Sequence, residues 1–265
     1  MSDIKLFRVD QQGAAEIKGT SVAVEKSLQT MIEKYLDMFL GVRFLASEYI
    51  TGKTHGGRID TLGIDENNYP VIIEYKRTRD ENVINQGLSY LNWLMDHKAE
   101  FQLLVLKRFG EQAASTIEWS APRLVCIAGD FNRYDEDAVQ QIGRNVELVR
   151  YRRYGDHLVL LDLVTTASGD SSARSKSSSA GNQNVIDEST AESSKVLQRL
   201  TKTPPEVRER FETLRKRILA LGDDIQEKTL DRYIAFRRIR NFATVRFRPQ
   251  TGRLLLYVNV DPDVE

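Results

Sequence analysis

The sequence predicts an α/β domain with a mixed sheet flanked by helices, followed by a small C-terminal α+β domain after a linker. Three observations lead to the layered α/β class. Between residues 1 and 165, amphipathic helical stretches alternate with short apolar strands. Residues 166–195, "TASGDSSARSKSSSAGNQNVIDESTAESSK", are rich in Ser, Gly and Asn with few large apolar residues. Such a segment cannot offset the entropy of its own ordering and reads as a flexible linker. After it, residues 196–265 return to an amphipathic helix and strand-like pieces, a small basic module. The chain stops soon after a strand, so an incomplete module is one expectation.

In order, "DIKLFRV" (3–9) reads as a strand. "SVAVEKSLQTMIEKYLDMFL" sets Val24, Leu28, Ile32, Leu36 and Leu40 at helical spacing, with Ser21 as a candidate cap. "VRFLASEYI" is a strand, and a hairpin follows it. "DENVINQGLSYLNWLMDHKAEFQLLVLKRFG" is helical with a break inside it. Then come the strand "RLVCIAG", the short helix "DEDAVQQI", and the strands "VELVRYRRY" and "HLVLLDLV". In the last module, "PPEVRERFETLRKRILAL" is a helix whose prolines sit at its start, where they are tolerated. "RYIAFRRI", "FATVRFRP" and "LLLYVNVD" read as strands.

The 265 residues are 41% hydrophobic and 29% charged, enough apolar material to bury a core. No apolar run approaches bilayer length, and "MSDIKLFRVDQQG" lacks the basic start and apolar block of a signal peptide. Cys126 has no second cysteine to pair with, which suits a reducing cytoplasm, the expected location. A net charge of zero hides an asymmetry: residues 1–165 hold 20 Lys/Arg against 24 Asp/Glu, and residues 196–265 hold 15 against 10. A basic terminal piece hints at an anionic partner.

The hairpin "GGRIDTLGIDENNYPVIIEYKR", with strands at 58–65 and 70–77, carries the chemistry. Asp60, Glu74 and Lys76 sit among Ile59, Leu62, Val71, Ile72 and Ile73. Charges in a buried sheet are costly unless paired, hydrogen-bonded or bound to a metal. Glu74 and Lys76, two apart, share a face, and pairing about residues 67–68 brings Asp60 opposite Glu74, Tyr75 or Lys76; an even register, or one bulge, puts all three charges on one face. Two carboxylates can hold a hard cation such as Mg²⁺ or Mn²⁺, with the lysine near its water. Phosphodiester hydrolysis needs that set.

These residues resemble a known family. "RID…IIEYK" is similar to the Asp…Glu-x-Lys pattern of PD-(D/E)XK nucleases, which implies a restriction-endonuclease-like mixed sheet flanked by helices, and Glu25 to Tyr90 resembles the catalytic domain of NucS-type endonucleases. The features that match are the helix with Glu25, "FLASEY" with Glu48, the hairpin, and the helix with Gln86 and Tyr90. One departure is Arg58-Ile59 where the family usually has proline. The resemblance implies metal ligation by Asp60 and Glu74, service of the attacking water by Lys76, and completion of the site by Glu25 and Gln86. It implies Mg²⁺ or Mn²⁺ as cofactor and DNA as partner, and a homodimer is a further expectation where both strands are cut. Nucleic-acid contacts are expected at Arg58, Arg77 and Tyr90.

Alternatives stand beside several of these. The hairpin charges could be exposed salt bridges. Glu25 could serve only the helix dipole, with Glu33 its competitor at a different phase. Gln86 and Tyr90, at i and i+4, could simply hydrogen-bond. Glu48 fits a supporting role. "TGKTHGG" lacks the upstream glycine of a P-loop, and His55, His97 and His157 have no partners at zinc spacing.

In the basic tail, Arg237, Arg238 and Arg240 interleave with Tyr233, Phe236, Phe242 and Phe247, as in surfaces that bind single strands. An equally simple pattern is a strand with aromatic residues inside and arginines in water. The segment also resembles a small uncharacterised domain, loosely labelled "predicted transport protein", often fused behind such nucleases. No membrane feature supports transport. A non-catalytic nucleic-acid-binding or interaction protein on the same fold is the alternative function.

Overall fold

The hairpin read from the sequence is the axis of the larger unit. Its strands are β5 (Arg58–Asp65) and β6 (Pro70–Lys76). The computed structural model describes residues 4–11, 13–20, 25–52, 56–76, 83–167, 195–230 and 233–259. The chain divides into two compact units, Met1–Lys176 and Ser177–Glu265. Arg77, His55 and nearly all of the segment 166–195 lie outside the described residues.

In the first unit, β1 (Leu6–Asp10) and β2 (Gly13–Ile17) form a separate antiparallel ribbon. Then follow β3 (Gly19–Thr20), α1 (Glu25–Lys34), α2 (Leu36–Leu40) and β4 (Val42–Ile50). The helical stretch read as continuous breaks at Tyr35, and Gly41 ends α2 at φ 64°, a left-handed position that suits glycine. Leu28, Ile32, Leu36 and Leu40 are buried, as their spacing requires. After the hairpin come α3 (Val83–Asp96), α4 (Lys98–Phe109), α5 (Glu111–Ser115), β7 (Arg123–Ala128), α6 (Arg133–Gln141), β8 (Asn145–Tyr154) and β9 (Leu158–Ala167). His97 makes the break between α3 and α4.

The sheet runs β3-β8-β7-β6-β5-β4, with β9 also on β8. β6, β7 and β8 are parallel; β4, β5 and β9 pair antiparallel. The central strands β6 and β7 are buried throughout, hence their near-continuous apolar sequence. Ile72, Leu124, Cys126 and Leu148 pack with α3 and α6, while α1 lies against β5 and β6.

At the turn end of the hairpin sits a buried charge cluster. Arg123 donates twice to Glu147 (3.0 and 2.8 Å) and once to Asp65 (3.0 Å), and all three residues are at most 5% exposed. Asp65 Oδ1 accepts the amides of Asn67 and Tyr69, each at 2.9 Å, which fixes the turn. Burial pulls the Arg123 guanidinium down, but the charges of Glu147 and Asp65 outweigh it and hold the group above its ordinary value.

The second unit contains α7 (Lys195–Thr201), α8 (Pro205–Leu219) and the meander β10 (Gln226–Thr229), β11 (Ile234–Arg237), β12 (Asn241–Arg248) and β13 (Arg253–Val258). Val196, Phe211, Ile218, Phe236, Val245 and Phe247 form its core. β10 and α7 were not legible in the sequence; α7 begins at the end of the stretch read as linker.

Candidate active site

β5 begins beside one strand and ends beside two. Its pairing with β4 extends to Ile50↔Arg58, but its ladder with β6 stops at Thr61↔Ile73. At the next position the backbone amides bond to side chains instead. Asp60 N–H donates to Glu74 Oε1 (3.2 Å), and Tyr75 N–H donates to Asp60 Oδ2 (3.1 Å). An amide left unpaired where a ladder ends inside the protein costs about 1–3 kcal/mol, and hydrogen bonds to carboxylates are among the stronger replacements. The exchange parts the strands and holds two carboxylates at the head of the fork.

The fork opens into a cleft of about 910 Å³, lined by Arg58, Asp60, Glu74, Asn85, Gln86 and Tyr90 among others. Glu74 is 1% exposed and Asp60 half-buried, so the two acids sit at the cleft's inner end. Helix α3 supplies its opposite wall. Tyr90 Oη accepts the Arg58 amide (3.1 Å) and the Gln86 side-chain amide (3.0 Å). This bond pins the start of β5 to α3. Gly57 permits it, because a Cβ there would lie 2.5 Å from the Tyr90 ring. Gln86 therefore both lines the cleft and makes the i,i+4 bond considered from the sequence.

Helix α1 backs the other side of β5. The Gln29 side-chain amide donates to Asp60 O (2.8 Å) and Ser47 Oγ (3.1 Å). Glu33 accepts from Thr61 Oγ1 (2.6 Å), whose oxygen is 3.3 Å from Tyr75 Oη. Burial pushes the Tyr75 phenol up, so it stays protonated as a hydrogen-bonding group. Glu25 is the first residue of α1, one turn ahead of Gln29; its side chain is outside the described set.

Glu48, on β4, has φ 54°. That conformation costs a non-glycine residue roughly 1–3 kcal/mol and is typical of functional sites. Ion pairs to Lys26 (2.8 Å) and Arg58 (2.5 Å) hold it there. The hydrogen bond from Lys26 lowers the Glu48 carboxyl below its usual range against the opposing effect of burial, and the Arg58 charge adds to it. Arg58 itself is exposed at the cleft.

Lys76 departs from its expected position. Alternation does place it on the face of Glu74, but its side chain is 1% exposed and its ammonium lies 3.3 Å from Asp135 Oδ2 on α6. It is not among the residues lining the cleft. A buried ammonium needs a counter-charge, and Asp135 supplies it while also accepting the Asn132 amide in the capping box of α6. Sequence reasoning missed Asp135. Its capping signal, Asn132 three residues earlier, was readable; its approach to β6 was not. Cys126, opposite Glu74 on β7, adjoins this group, and burial pushes its thiol up, with the Glu74 charge adding to the effect.

Asp60 and Glu74 are thus brought together with Gln86, Tyr90 and Arg58, and Lys76 is not aimed at them. Among the described residues no group of three or more His, Cys, Asp or Glu side chains converges as a metal site. Two carboxylates on a polar cleft do fit Mg²⁺ or Mn²⁺, which bind through one or two carboxylates and keep waters or phosphate oxygens. Zinc sites usually take three or four protein ligands that include His or Cys, and the described residues lining this cleft supply neither.

In the second unit, the pattern with aromatic residues inside is the one found for Phe236 and Phe247, and the expectation for Arg237 needs correction. Phe236 and Phe247 lie in the core at 0% and 2% exposure, Phe247 edge-on to Phe211 at 5.0 Å, so neither can stack on a base. Arg237 is buried, and its guanidinium donates to the carbonyls of Arg238 (3.3 Å) and Ile239 (2.8 Å). Strand alternation turns Phe236 and Phe247 to the core, and the register irregularity between Phe236 and Arg237 falls where the Arg237 guanidinium is tied to the backbone. Arg238 is exposed and paired with Asp224 at 3.1 Å, and Arg240 is half-buried.

Residues 198–265 match a family model described as a domain of unknown function, DUF5655. Over 97% of its length the chain is 28% identical to an uncharacterised protein of Haemophilus influenzae, of which the match covers 84%. Among solved structures, it is similar to a repair endonuclease from Pyrococcus abyssi, at 15% identity and TM-score 0.33, over 52% of this chain and 50% of that one. It is also similar to the EndoMS–dsDNA2 complex, at 17% identity and TM-score 0.30, over 49% and 46%. The chain spans about half the length of these structures.

Proposed function

We propose that the first unit is a divalent-metal-dependent nuclease that hydrolyses DNA phosphodiester bonds at the β5–β6 fork. One observation carries this reading: Asp60 and Glu74 replace the ladder at its end and face a polar cleft together. Both carboxylates accept a backbone amide where the ladder ends, and both line the same polar cleft. In this reading Asp60 and Glu74 hold Mg²⁺ or Mn²⁺, which on binding polarises the phosphate and acidifies a water. Arg58 and the Gln86 amide meet the phosphate backbone from the walls. Tyr90 keeps both walls at a fixed spacing. Lys76 offsets the negative charge of the two carboxylates from behind, and Asp135 holds it in place.

The turn of the Lys76 ammonium toward Asp135 favours a second reading, a nucleic-acid-binding fold that does not cut. Cleavage of single-stranded, mismatched and branched DNA with and without Mg²⁺ or Mn²⁺ separates the two. The nuclease reading expects cutting that requires metal and disappears in Glu74→Ala and Lys76→Ala. Binding that persists equally in all three proteins without cutting would leave the binding fold.

A further inference from the structure

We propose that the solvent face of the four-stranded sheet in the second unit binds single-stranded nucleic acid, with Arg246 at its centre. This inference stands independently of the nuclease reading. The helices of this unit cover one face of the sheet through Phe236, Val245 and Phe247, and Glu227 on that side pairs with Arg215 of α8. The other face carries a different chemistry. The Arg246 guanidinium lies 5.3 Å from the ring centre of Tyr233 and 5.4 Å from that of Tyr257. Three neighbouring segments thus contribute one stack: Tyr233 just before β11, Arg246 on β12, and Tyr257 on β13. The β12–β13 register sets Thr244 opposite Tyr257 and Leu255 opposite Arg246, so Arg246 and Tyr257 are diagonal neighbours on the same face.

Along the same face, Arg248 and Arg253 stand opposite each other and are both exposed, and Lys228 occupies β10. Tyr257 is 48% exposed, so its ring is open to a ligand from solvent. Among the described strand residues on this face there is no aspartate or glutamate. The face is therefore cationic as well as aromatic, which selects an anionic occupant. A flat platform of tyrosine and guanidinium planes flanked by arginines matches bases above and phosphates at the side. An acidic peptide would satisfy the charges but has no planar group for the stack. A duplex would hide its base faces from it.

The test uses the full chain in EDTA, so that cleavage cannot intervene, with a fluorescein-labelled oligothymidylate of about 20 nucleotides, a length that exceeds typical single-strand site sizes. Anisotropy at several salt concentrations gives affinity and its salt slope. Arg246→Ala combined with Tyr257→Ala should weaken binding about tenfold or more, the usual effect of losing a stacked base. Arg246→Lys, which keeps charge and fold, should lose part of that, and Tyr257→Phe almost none. Arg248→Ala with Arg253→Ala should reduce the salt slope by about 1.4, the value for two lost phosphate contacts on a single strand. Affinity and slope unchanged in all of these variants would overturn the proposal. So would an oligoglutamate probe that loses binding in the same variants while oligothymidylate does not, since the occupant would then be an acidic protein segment.

Discussion

The two ends of one hairpin carry two clusters of charge, and the molecule treats them in opposite ways. At the turn, Asp65, Arg123 and Glu147 are closed off from water, with the guanidinium forked onto one carboxylate and bonded to the other. The interactions of this cluster tie β7 to β8 and, across β6, to β5, and fix the hairpin turn. At the open end, Asp60 and Glu74 accept backbone amides that the ladder has released, Lys76 on β6 is turned to a helix, and Arg58 on β5 stands exposed at the cleft. The first cluster completes the sheet. The second interrupts it and leaves two anions at the end of a cleft. Buried charge is by itself neutral as to function; whether its partners close around it or leave it facing space is what distinguishes a clasp from a site.

That contrast is sharpest in paired substitutions. Glu74→Gln should lower metal-dependent cleavage by about 10³-fold, in the range for losing one group that stabilises developing charge, while thermal denaturation shows little change, since glutamine still accepts the Asp60 amide. Arg123→Met should do the reverse. It strands two buried carboxylates and should cost about 3–5 kcal/mol in chemical denaturation, with cleavage per folded molecule preserved. A Glu74→Gln protein that unfolds as readily as Arg123→Met would erase the distinction.

Asp135→Asn comes next in size. It removes the counter-charge of a buried ammonium but keeps a capping side chain on α6, and should destabilise by about 2–3 kcal/mol. If Lys76 serves the fork from behind, its freed amine should also shift the pH profile of cleavage; an unchanged profile with lowered stability would make the pair purely structural. Gly57→Ala forces a methyl group into the Tyr90 ring, an overpacking worth about 1–3 kcal/mol. Cleavage should fall with it, because the cleft wall moves.

The smallest effect is at Glu48. Its carboxyl is lowered in the folded protein by the Lys26 hydrogen bond, so the unfolded chain binds the proton more readily. The associated stability is present above the ordinary carboxylate value and is lost as pH falls through the lower folded one. Denaturation midpoints of wild type and Glu48→Gln should therefore converge as acid is added; midpoints that diverge instead would contradict this assignment.

Much of this was legible in the sequence. The hairpin strands were placed at 58–65 and 70–77, against Arg58–Asp65 and Pro70–Lys76 observed, because apolar residues flank a polar turn. The pattern left Asp60 opposite Glu74, Tyr75 or Lys76, and the observed Thr61↔Ile73 register puts Glu74 next to Asp60. What escaped depends on contacts between distant segments. Lys76 and Asp135 are 59 residues apart, and Arg123 and Asp65 are 58; no local period reports such meetings. In the second unit, alternation showed that Phe236 and Phe247 belong to strands with two unlike faces. It did not show which face the helices cover, so a core and a binding surface both fitted the aromatic residues, while the approach of Tyr257 to Arg246 on the outer face depends on the register across β12 and β13.

The central claim is that Asp60 and Glu74 together form a cation site. Titration of the full chain with Mn²⁺, followed by calorimetry or by the loss of the free-ion electron paramagnetic resonance signal, tests it without requiring a substrate. Wild type should bind Mn²⁺ competitively with Mg²⁺, and Asp60→Asn and Glu74→Gln should each weaken binding at least about tenfold, as loss of one of two charged ligands implies. Equal Mn²⁺ binding by all three proteins would contradict the claim.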